Sequence, residues 1–285
     1  MKYQFMRQHE KEFSLERMSK MLNVSRSGYY QFIKSKPSKQ SGENERLLIK
    51  IKKIHEDSRQ TYGSPRIHAE LSSTGESCSR KRVARLMKKA GLKAKMKKRF
   101  KVTTKVNPKA KAAPNLLQQD FTAEKPNQRW VADITYIWTL EGWLYVAAVL
   151  DLFSRHVVGL AMSERMTTDL VLSALQQAIT HRNPDTGLTH HSDKGSQYTS
   201  DHFQAFLKKY SMIASMSGTG NCYDNAAMES FFHTLKTEHI YFETYNTREQ
   251  AKQSIFEYVE VFYNRKRRHS TLGYLSPVAF EKMWY

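Results

Sequence analysis

The sequence lacks several features that define large classes of protein. Its 285 residues include only two cysteines, Cys78 and Cys222, which are too few for a disulfide framework or a zinc site. No apolar run approaches the roughly 20 residues that a membrane helix needs, and the first residues lack the apolar core of a signal peptide. No heptad repeat is sustained long enough for a coiled coil. We therefore expect a cytoplasmic protein with reduced thiols and no membrane segment.

Acidic residues are scarce in the first part of the chain. Residues 1–112 hold 30 Lys and Arg against 9 Asp and Glu, whereas residues 113–285 hold 16 and 18. The net charge of +19 therefore comes entirely from the first 112 residues. Residues 81–101 contain 11 Lys and Arg and no acid. This distribution is typical of a basic part that binds nucleic-acid phosphates, joined to a near-neutral catalytic or assembly part. A solvated basic surface is the alternative.

A pair of short helices is predicted near the start of the chain. In residues 13–32, Ser14 and Ser25 are placed to begin two helices, and Asn23 falls in the turn between them. Two short helices joined by a tight turn are typical of a helix-turn-helix, whose second helix can enter the major groove. Plain helical hairpins have the same pattern, so both interpretations stay open.

A second helical module follows over residues 45–101. Apolar residues recur there at helical spacing, Ser79 is placed to begin the last helix, and Gly91 is placed to end it. The basic tract extends from this helix. Two segments without apolar periodicity, 36–44 and 102–125, are predicted linkers.

The second half changes to a strand-rich composition. Runs rich in β-branched and aromatic residues predict three consecutive antiparallel strands over 128–138, 143–151 and 155–163. Further predicted elements are a helix over 168–180, strands over 188–192 and 213–216, a helix over 201–210, and helices opening at 226 and spanning 247–264. This order is that of the ribonuclease H-like fold, in which the first strand lies between the second and the fourth.

Three acidic residues would meet in that fold. Asp133 falls in the central strand, Asp193 at the C-terminal end of its neighbour, and Glu229 on a helix that can pack across the same edge. Clustered carboxylates repel one another unless a cation lies among them. Oxygen ligands with open positions suit Mg²⁺ or Mn²⁺, and two ions about 4 Å apart assist in-line phosphoryl displacement. The pattern predicts phosphodiester chemistry on DNA; for Asp133 alone, a hydrogen bond to a buried partner is the alternative.

The segment around Glu229 is predicted to be the start of a helix. Asn221, Asp224 and Asn225 are typical turn and helix-capping residues. Glu229 lies one turn after Asn225 and one turn before His233, so the three share a helix face.

The spacing of the acidic residues matches a pattern found in a known family of enzymes. Asp193 and Glu229 are separated by 35 residues, and Lys236 follows Glu229 by seven. The chain thereby resembles the DDE transposases and retroviral integrases, and more narrowly the second-frame (OrfB) products of IS3-family insertion sequences. The matching segments are WVADITYI (130–137), HSDKGSQYTS (191–200), GNCYDNAAMESFFHTLKTE (220–238), YNRKRRHSTLGYLSP (263–277) and YGSPRI (62–67).

The resemblance implies a DDE transposase that cleaves and joins DNA strands with Mg²⁺ or Mn²⁺, using two ions. It implies that Asp133, Asp193 and Glu229 are the metal-binding catalytic residues and that Lys236 contacts the element's end near the scissile phosphate. The residues predicted to bind DNA are Lys236, Arg66, Arg82, Arg265 and Arg268. The implied partners are double-stranded DNA, the first-frame (OrfA) product fused by a frameshift, and further copies of the chain on DNA. The expected location is the bacterial nucleoid.

The predicted organisation is multidomain. It consists of a helix-turn-helix-like segment (1–36), a helical DNA-binding module with a basic tail (45–101), a linker (102–125) and an integrase catalytic core (126–285). The core is predicted to be α/β and ribonuclease H-like, with a mixed five-stranded sheet. Two other functions stay open, namely a nuclease of this fold that only hydrolyses DNA, and a non-catalytic DNA-binding regulator of the element.

Overall fold

A computed structural model describes residues 1–34, 38–96, 113–218 and 222–284. Residues 97–101 of the basic tract, 102–112 of the predicted linker, and Asn221 lie outside the described residues. By internal contacts the chain divides into two compact units, Met1–Lys53 and Ile54–Tyr285. None of the described helices combines the length and the apolar composition required to cross a membrane.

The first unit begins with three short helices around a small core. They are α1 (Lys2–Gln8), α2 (Leu15–Leu22) and α3 (Arg26–Lys34). Ser14 caps α2 by accepting a hydrogen bond from Arg17 N, and Ser25 accepts one from Gly28 N at the start of α3. Asn23 takes a left-handed conformation with φ of 50°. The predicted pair of helices is confirmed, whereas α1 was not predicted.

The predicted linker over 36–44 is wrong where the structure describes it. Helix α4 (Lys39–Asp57) begins six residues before the predicted start of the helical module. Ser38 explains the difference, because its side-chain oxygen accepts a hydrogen bond from Ser41 N and its carbonyl accepts one from Gly42 N. A capping serine therefore begins the helix early enough to include Gly42 despite the poor helix propensity of glycine.

The second unit contains the remaining helices of the predicted module. They are α5 (Ser64–Ser73) and α6 (Arg80–Lys89). Ser79 caps α6 by accepting from Arg82 N. Gly91 has φ of +70°, its N–H donates to Lys88 O, and Leu92 N donates to Met87 O. This pattern is a Schellman motif, so the predicted start and end of α6 are confirmed.

The catalytic core is built on one mixed sheet. Its strands are β1 (Arg129–Thr139), β2 (Gly142–Asp151), β3 (Val157–Ser163), β4 (Thr189–Ser192) and β5 (Ile213–Met216). They lie in the order β3-β2-β1-β4-β5, with β1, β2 and β3 antiparallel and β4 and β5 parallel to β1. The predicted strands and the central position of the first strand are confirmed.

Helices α7 (Thr168–Arg182) and α9 (Asp201–Lys209) pack with the sheet around one apolar core. Trp130, Leu175 and Phe203 are among its most buried side chains. Helix α7 lies directly against β3 at Gly159, where an added Cβ would lie 2.1 Å from Ala174 O. Only glycine admits the helix backbone this close.

The other elements of the core are helical. They are α8 (Ser196–Thr199), α10 (Ala226–Glu238), α11 (Arg248–Phe256) and α12 (Pro277–Glu281), with a 3₁₀ turn at Cys222–Asn225 before α10. The predicted helix over 247–264 is present, but it continues from α11 as a π-helix, Glu257–Tyr263. Asn264 N donates to Val259 O, five residues back, as this widened turn requires.

The described part of the predicted linker 102–125 packs on the core. Met216 N of the edge strand β5 donates to Pro114 O, and Leu116 N donates to Ser215 Oγ. Leu117 is 2% exposed. The prediction of an extended linker is therefore wrong for residues 114–117, because the edge of β5 offers the Met216 N–H and the Ser215 hydroxyl as partners for this segment.

Candidate active site

Parallel pairing of β1 with β4 brings the two aspartates together. Val131 lies opposite His191 in this ladder. Continued for two residues, the same register places Asp133 beside Asp193, immediately beyond the end of β4. Asp193 Oδ1 accepts a hydrogen bond from Gly195 N at 2.9 Å, which fixes the turn that follows the strand. The two carboxylates thus lie at the edge where the parallel strands end.

Helix α10 carries the third carboxylate to this edge. Its N-terminus is tied to β1 by Asn225, whose Nδ2 donates to Ala132 O at 3.2 Å, one residue before Asp133. The helix buries an apolar face, formed by Met228, Phe231, Phe232 and Leu235. Glu229 lies on the exposed side. Lys236 Nζ lies 5.2 Å from the centre of the Tyr136 ring on β1. Both ends of α10 are therefore fixed against the strand that bears Asp133.

Electrostatics link these four side chains. The pKa of Asp133 is raised to about 8, first by burial and then by the negative charges of Asp193 and Glu229, while the Lys236 ammonium opposes the rise. Burial also raises the pKa of Asp193, and the hydrogen bond from Gly195 N opposes this rise. Burial raises the pKa of Glu229. Burial lowers the pKa of Lys236, and the negative charge of Asp133 opposes this fall. Asp133 is therefore a carboxylate held in the field of two other acids.

The donor set fits a divalent cation at the two aspartates. The pKa of Asp133 is raised first by burial and then by repulsion from the other acids, and a cation between the two aspartates would relieve that repulsion. Their oxygens are the ligand type that Mg²⁺ and Mn²⁺ prefer. Within the described ranges, no three His, Cys, Asp or Glu side chains are grouped closely enough to hold one ion. Glu229 thus contributes to the electrostatic field of Asp133 without closing a three-residue ligand group.

Asp224 and Asn225 do not act as the caps that the sequence predicts. Asn225 occupies the N-cap position, but its side chain makes no capping hydrogen bond, and its Nδ2 donates to β1. Asp224 accepts hydrogen bonds from Asn115 Nδ2, Gln119 Nε2 and Gly218 N. The prediction of Asp224 as a cap is wrong, since this side chain holds the segment beside β5. His233 is exposed.

The other residues predicted to bind DNA have different surroundings. Arg265 is exposed, and Arg82 is half-buried on α6. Arg66 Nη1 lies 3.3 Å from Glu238 Oε1 on α10. Arg268 forms an ion pair with Glu70 and donates to Ser73 Oγ and Tyr274 O, each at 2.7 Å. Of the predicted set, only Lys236 lies in the field of the carboxylates, and the role of each residue in binding DNA stays a prediction.

Sequence reasoning missed a buried cluster beside α10. Arg267, in the basic run 265–268, is 4% exposed and forms a two-pronged ion pair with Glu238, with both N–O distances at 2.7 Å. Arg155, in the β2–β3 turn, has φ of +60° and is half-buried. A run of basic residues is typical of a solvated surface, so no local signal distinguishes Arg267 from its exposed neighbour Arg265.

Family models match most of the chain. An integrase core domain model matches residues 123–222, a second integrase core domain model matches 229–284, and an HTH-like domain model matches 43–100. The fold, the carboxylates and these matches define an integrase-core enzyme, of the class that cleaves DNA strands and transfers them. The HTH-like and integrase-core families also imply DNA as the partner.

Curated relatives cover nearly the full chain. The insertion element IS600 uncharacterized 31 kDa protein of Shigella sonnei is 46% identical over 268 residues, which are 94% of this chain and 98% of that protein. The transposase InsF for insertion sequence IS3A of Escherichia coli (strain K12) is 43% identical over 286 residues, with 99% and 98% covered. The chain belongs to the IS3-family insertion-sequence transposases. The predicted family, fold class and transposase activity are confirmed.

Solved structures with similar folds are more distant. A cryo-EM structure of the simian T-cell lymphotropic virus intasome in complex with PP2A regulatory subunit B56 gamma aligns with 80% of this chain and 73% of that chain, at 15% identity and a TM-score of 0.48. The HTLV-2 integrase catalytic core domain in complex with magnesium aligns with 56% of this chain and 99% of that chain, at 17% identity and a TM-score of 0.44.

Proposed function

We propose that Asp133, Asp193 and Glu229 are the catalytic carboxylates with which this transposase cleaves and joins the ends of its insertion sequence. The observation that supports the assignment is electrostatic. Asp133 lies in the negative field of the other two acids, with Lys236 as the opposing cation. Such a set of interacting titratable groups at the end of parallel strands is typical of an active site.

The proposed cofactor is Mg²⁺, or Mn²⁺ in its place, as two ions. Asp133 and Asp193 would provide the principal ligands, and Glu229 would complete the set. Bound divalent ions would stabilise the attacking and leaving oxygens of an in-line displacement. An HTLV-2 integrase core has been solved with magnesium. The raised pKa of Asp133 supports the proposal because a buried carboxylate among other acids needs a cation to remain charged.

The proposed reaction has two steps. In the first, the oxygen of a water molecule attacks a phosphorus at the element's end, the bond to the 3′ oxygen breaks, and the 3′ oxygen leaves as a hydroxyl. In the second, this hydroxyl attacks a phosphodiester at the other end of the element, and a second 3′ oxygen leaves. Lys236 holds the phosphate near the carboxylates, and Asn225 keeps α10 against β1. The reaction requires no covalent link between protein and DNA.

The proposed partners follow from membership of the family. They are double-stranded DNA at the element's ends and at the target, the first-frame product joined by a frameshift, and further copies of the chain on that DNA. The excess of basic residues in the first 112 positions supports binding to DNA at the bacterial nucleoid.

The test uses the fused first- and second-frame protein with labelled DNA ends of the element, with Mg²⁺ or with EDTA. The proposal expects joined products that require the metal ion and disappear in Asp133→Asn and Glu229→Gln variants. Metal-dependent breaks without joined products would identify a nuclease that only hydrolyses. DNA binding with no metal-dependent product in the unaltered protein would identify a regulator.

A further inference from the structure

A basic cavity lies on the flank of α10, next to the face that carries Glu229. Its volume is about 300 Å³. The lining residues that could bind a ligand are polar or basic, and they include Arg66, Arg155, Arg267, Ser230, Thr234 and Thr271. They come from α5, from the β2–β3 turn, from α10 and from the segment after the π-helix. Ser230 and Thr271 are exposed, so the cavity is open to solvent at its rim.

Two of the three arginines in this cavity bind the same carboxylate, that of Glu238. Both prongs of the Arg267 guanidinium are bound to Glu238, and Arg66 lies 3.3 Å from the same group. In the part of the chain that the structure describes, the Arg155 guanidinium forms no ion pair, and it donates one long hydrogen bond, 3.4 Å, to Phe121 O. Among the described residues, the lining therefore holds three guanidinium groups and no carboxylate, and Arg155 is the one that has no ion pair.

The position of Arg155 is costly for the protein. Burial lowers the pKa of its guanidinium, and electrostatic attraction from Tyr263 and Asp151 offsets only part of this effect. Its backbone also has φ of +60°, a conformation that non-glycine residues rarely adopt. Burial and the neighbouring Arg267 likewise lower the pKa of Arg66. An anion in the cavity would offset these costs.

We propose that this cavity binds a backbone phosphate of the DNA end on which the carboxylates act. Guanidinium groups bind the oxygens of a phosphate in a two-pronged manner, and hydroxyl groups such as those of Ser230 and Thr271 are common further donors. Glu229 and Ser230 are consecutive on α10, so the cavity borders the helix turn that carries the carboxylate. A phosphate held there fixes the DNA strand relative to the scissile bond. This inference rests on the proposed function.

The test measures DNA binding without divalent metal. Fluorescence anisotropy in EDTA, over a series of salt concentrations, gives the affinity of the full chain for a labelled duplex that ends in the element's terminal repeat. Arg155→Gln is expected to weaken binding about tenfold, the loss of one charged hydrogen-bonding group. The slope of log affinity against log salt is expected to fall by about 1, since one phosphate contact is lost.

The matched control is Arg165→Gln, which removes the same charge from a side chain that is 80% exposed and lies outside the cavity. Unchanged affinity and salt slope in Arg155→Gln would overturn the proposal, as would an equal loss in both variants. If Arg155→Gln does not fold, Thr271→Glu places a negative charge at the rim, and Thr271→Gln is its neutral counterpart. Only the charged variant is expected to weaken binding, and equal binding by the two would also overturn the proposal.

A free anion is the competing occupant of the cavity. Inorganic phosphate, added at an ionic strength matched with chloride, is the probe for it. If phosphate occupies the cavity of the unaltered protein while Arg155→Gln binds DNA normally, the cavity is a free-anion site and the DNA proposal is wrong. Because binding is measured without metal, failure of the unaltered protein to join DNA ends would reject the proposed function and leave this measurement valid.

Discussion

At the scale of single residues, the molecule keeps charged groups where burial makes them costly. Asp133 is the clearest case, since it is the only acidic residue of β1, most of whose residues are apolar or aromatic, and its pKa is raised to about 8. A carboxylate in such a place has a large desolvation cost, so its presence points to function more than to stability.

Asp133→Asn tests this conclusion. The amide keeps the shape of the side chain but carries no charge, so we expect strand cleavage to fall by more than about a thousandfold, as for the loss of other catalytic groups. We expect the melting temperature to stay the same or to rise, because the repulsion from Asp193 and Glu229 is removed. Calorimetry without metal checks the second expectation, and a large fall in melting temperature would show that Asp133 is structural.

The buried pair of Glu238 and Arg267 behaves differently, because both partners are charged and satisfied. Glu238→Gln leaves the guanidinium of Arg267 without its anion, so we expect the free energy of unfolding to fall by about 3–5 kcal/mol. Urea denaturation measures the change. The control is Glu257→Gln, whose ion pair with Arg59 is at 2.6 Å but involves a carboxylate that is 64% exposed. We expect the free energy of unfolding of this control to fall by about 1 kcal/mol or less. A similar fall in both variants would show that burial does not make the pair of Glu238 and Arg267 more important than an exposed one.

At the scale of elements, short helices are held by side chains from distant segments. Helix α12 has only five residues and depends on Glu281, which accepts hydrogen bonds from Ser154 Oγ, His156 Nδ1 and Arg182 Nη1. Burial alone would raise the pKa of Glu281, but these hydrogen bonds outweigh it and lower the pKa from its usual 4.5 to about 2. The carboxylate is therefore more stable in the folded protein than in the unfolded chain.

The pH dependence of stability follows from this lowered pKa. A carboxyl with a lowered folded pKa contributes its stability above its unfolded pKa and loses it as the pH falls through the folded value. We expect the difference in unfolding free energy between the unaltered protein and Glu281→Gln to be constant above about pH 5. It should shrink as the pH falls from 4.5 towards 2. Urea denaturation at several pH values measures this difference. A difference that grows towards low pH would show that the pKa of Glu281 is not lowered by folding.

At the scale of the whole molecule, part of the predicted DNA-binding module shares a compact unit with the catalytic core. Arg268 joins Glu70 and Ser73 of α5 to the C-terminal segment through Tyr274 O, and Tyr62 Oη accepts a hydrogen bond from Arg268 N. The unit Ile54–Tyr285 therefore includes α5 and α6 together with the sheet.

Arg268→Gln is expected to loosen this connection. It removes the ion pair with Glu70, so the amides of α5 should exchange with solvent faster and the unfolding midpoint in urea should fall. Hydrogen exchange without DNA measures the effect. Arg265→Gln removes the same charge three residues earlier from an exposed side chain, and we expect it to change stability by no more than about 0.5 kcal/mol. Equal exchange in the two variants would show that Arg268 does not hold α5.

The strands and most helices were predictable because their signals are local. The runs over β1, β2 and β3 are long, β-branched and aromatic, and Ser14, Ser79 and Gly91 cap helices by contacts within a few residues. The early start of α4 was missed although its cap, Ser38, is local. Other errors occurred where a distant partner decided the outcome. Asp224 has the composition of a cap, but side chains from residues 115 and 119 bind it.

The sequence by itself determined the class of fold and the family of this protein. The strand order predicted a ribonuclease H-like fold that brings Asp133, Asp193 and Glu229 together, and the resemblance of whole segments to the IS3 family implied a transposase, because both depend on residue type and chain order. Only the tertiary structure decided which basic residues are buried. Arg265 and Arg267 are alike in sequence, yet one is exposed and the other is bound to Glu238. Burial depends on segments that are distant in the sequence and pack against the residue, so the local sequence does not predict it.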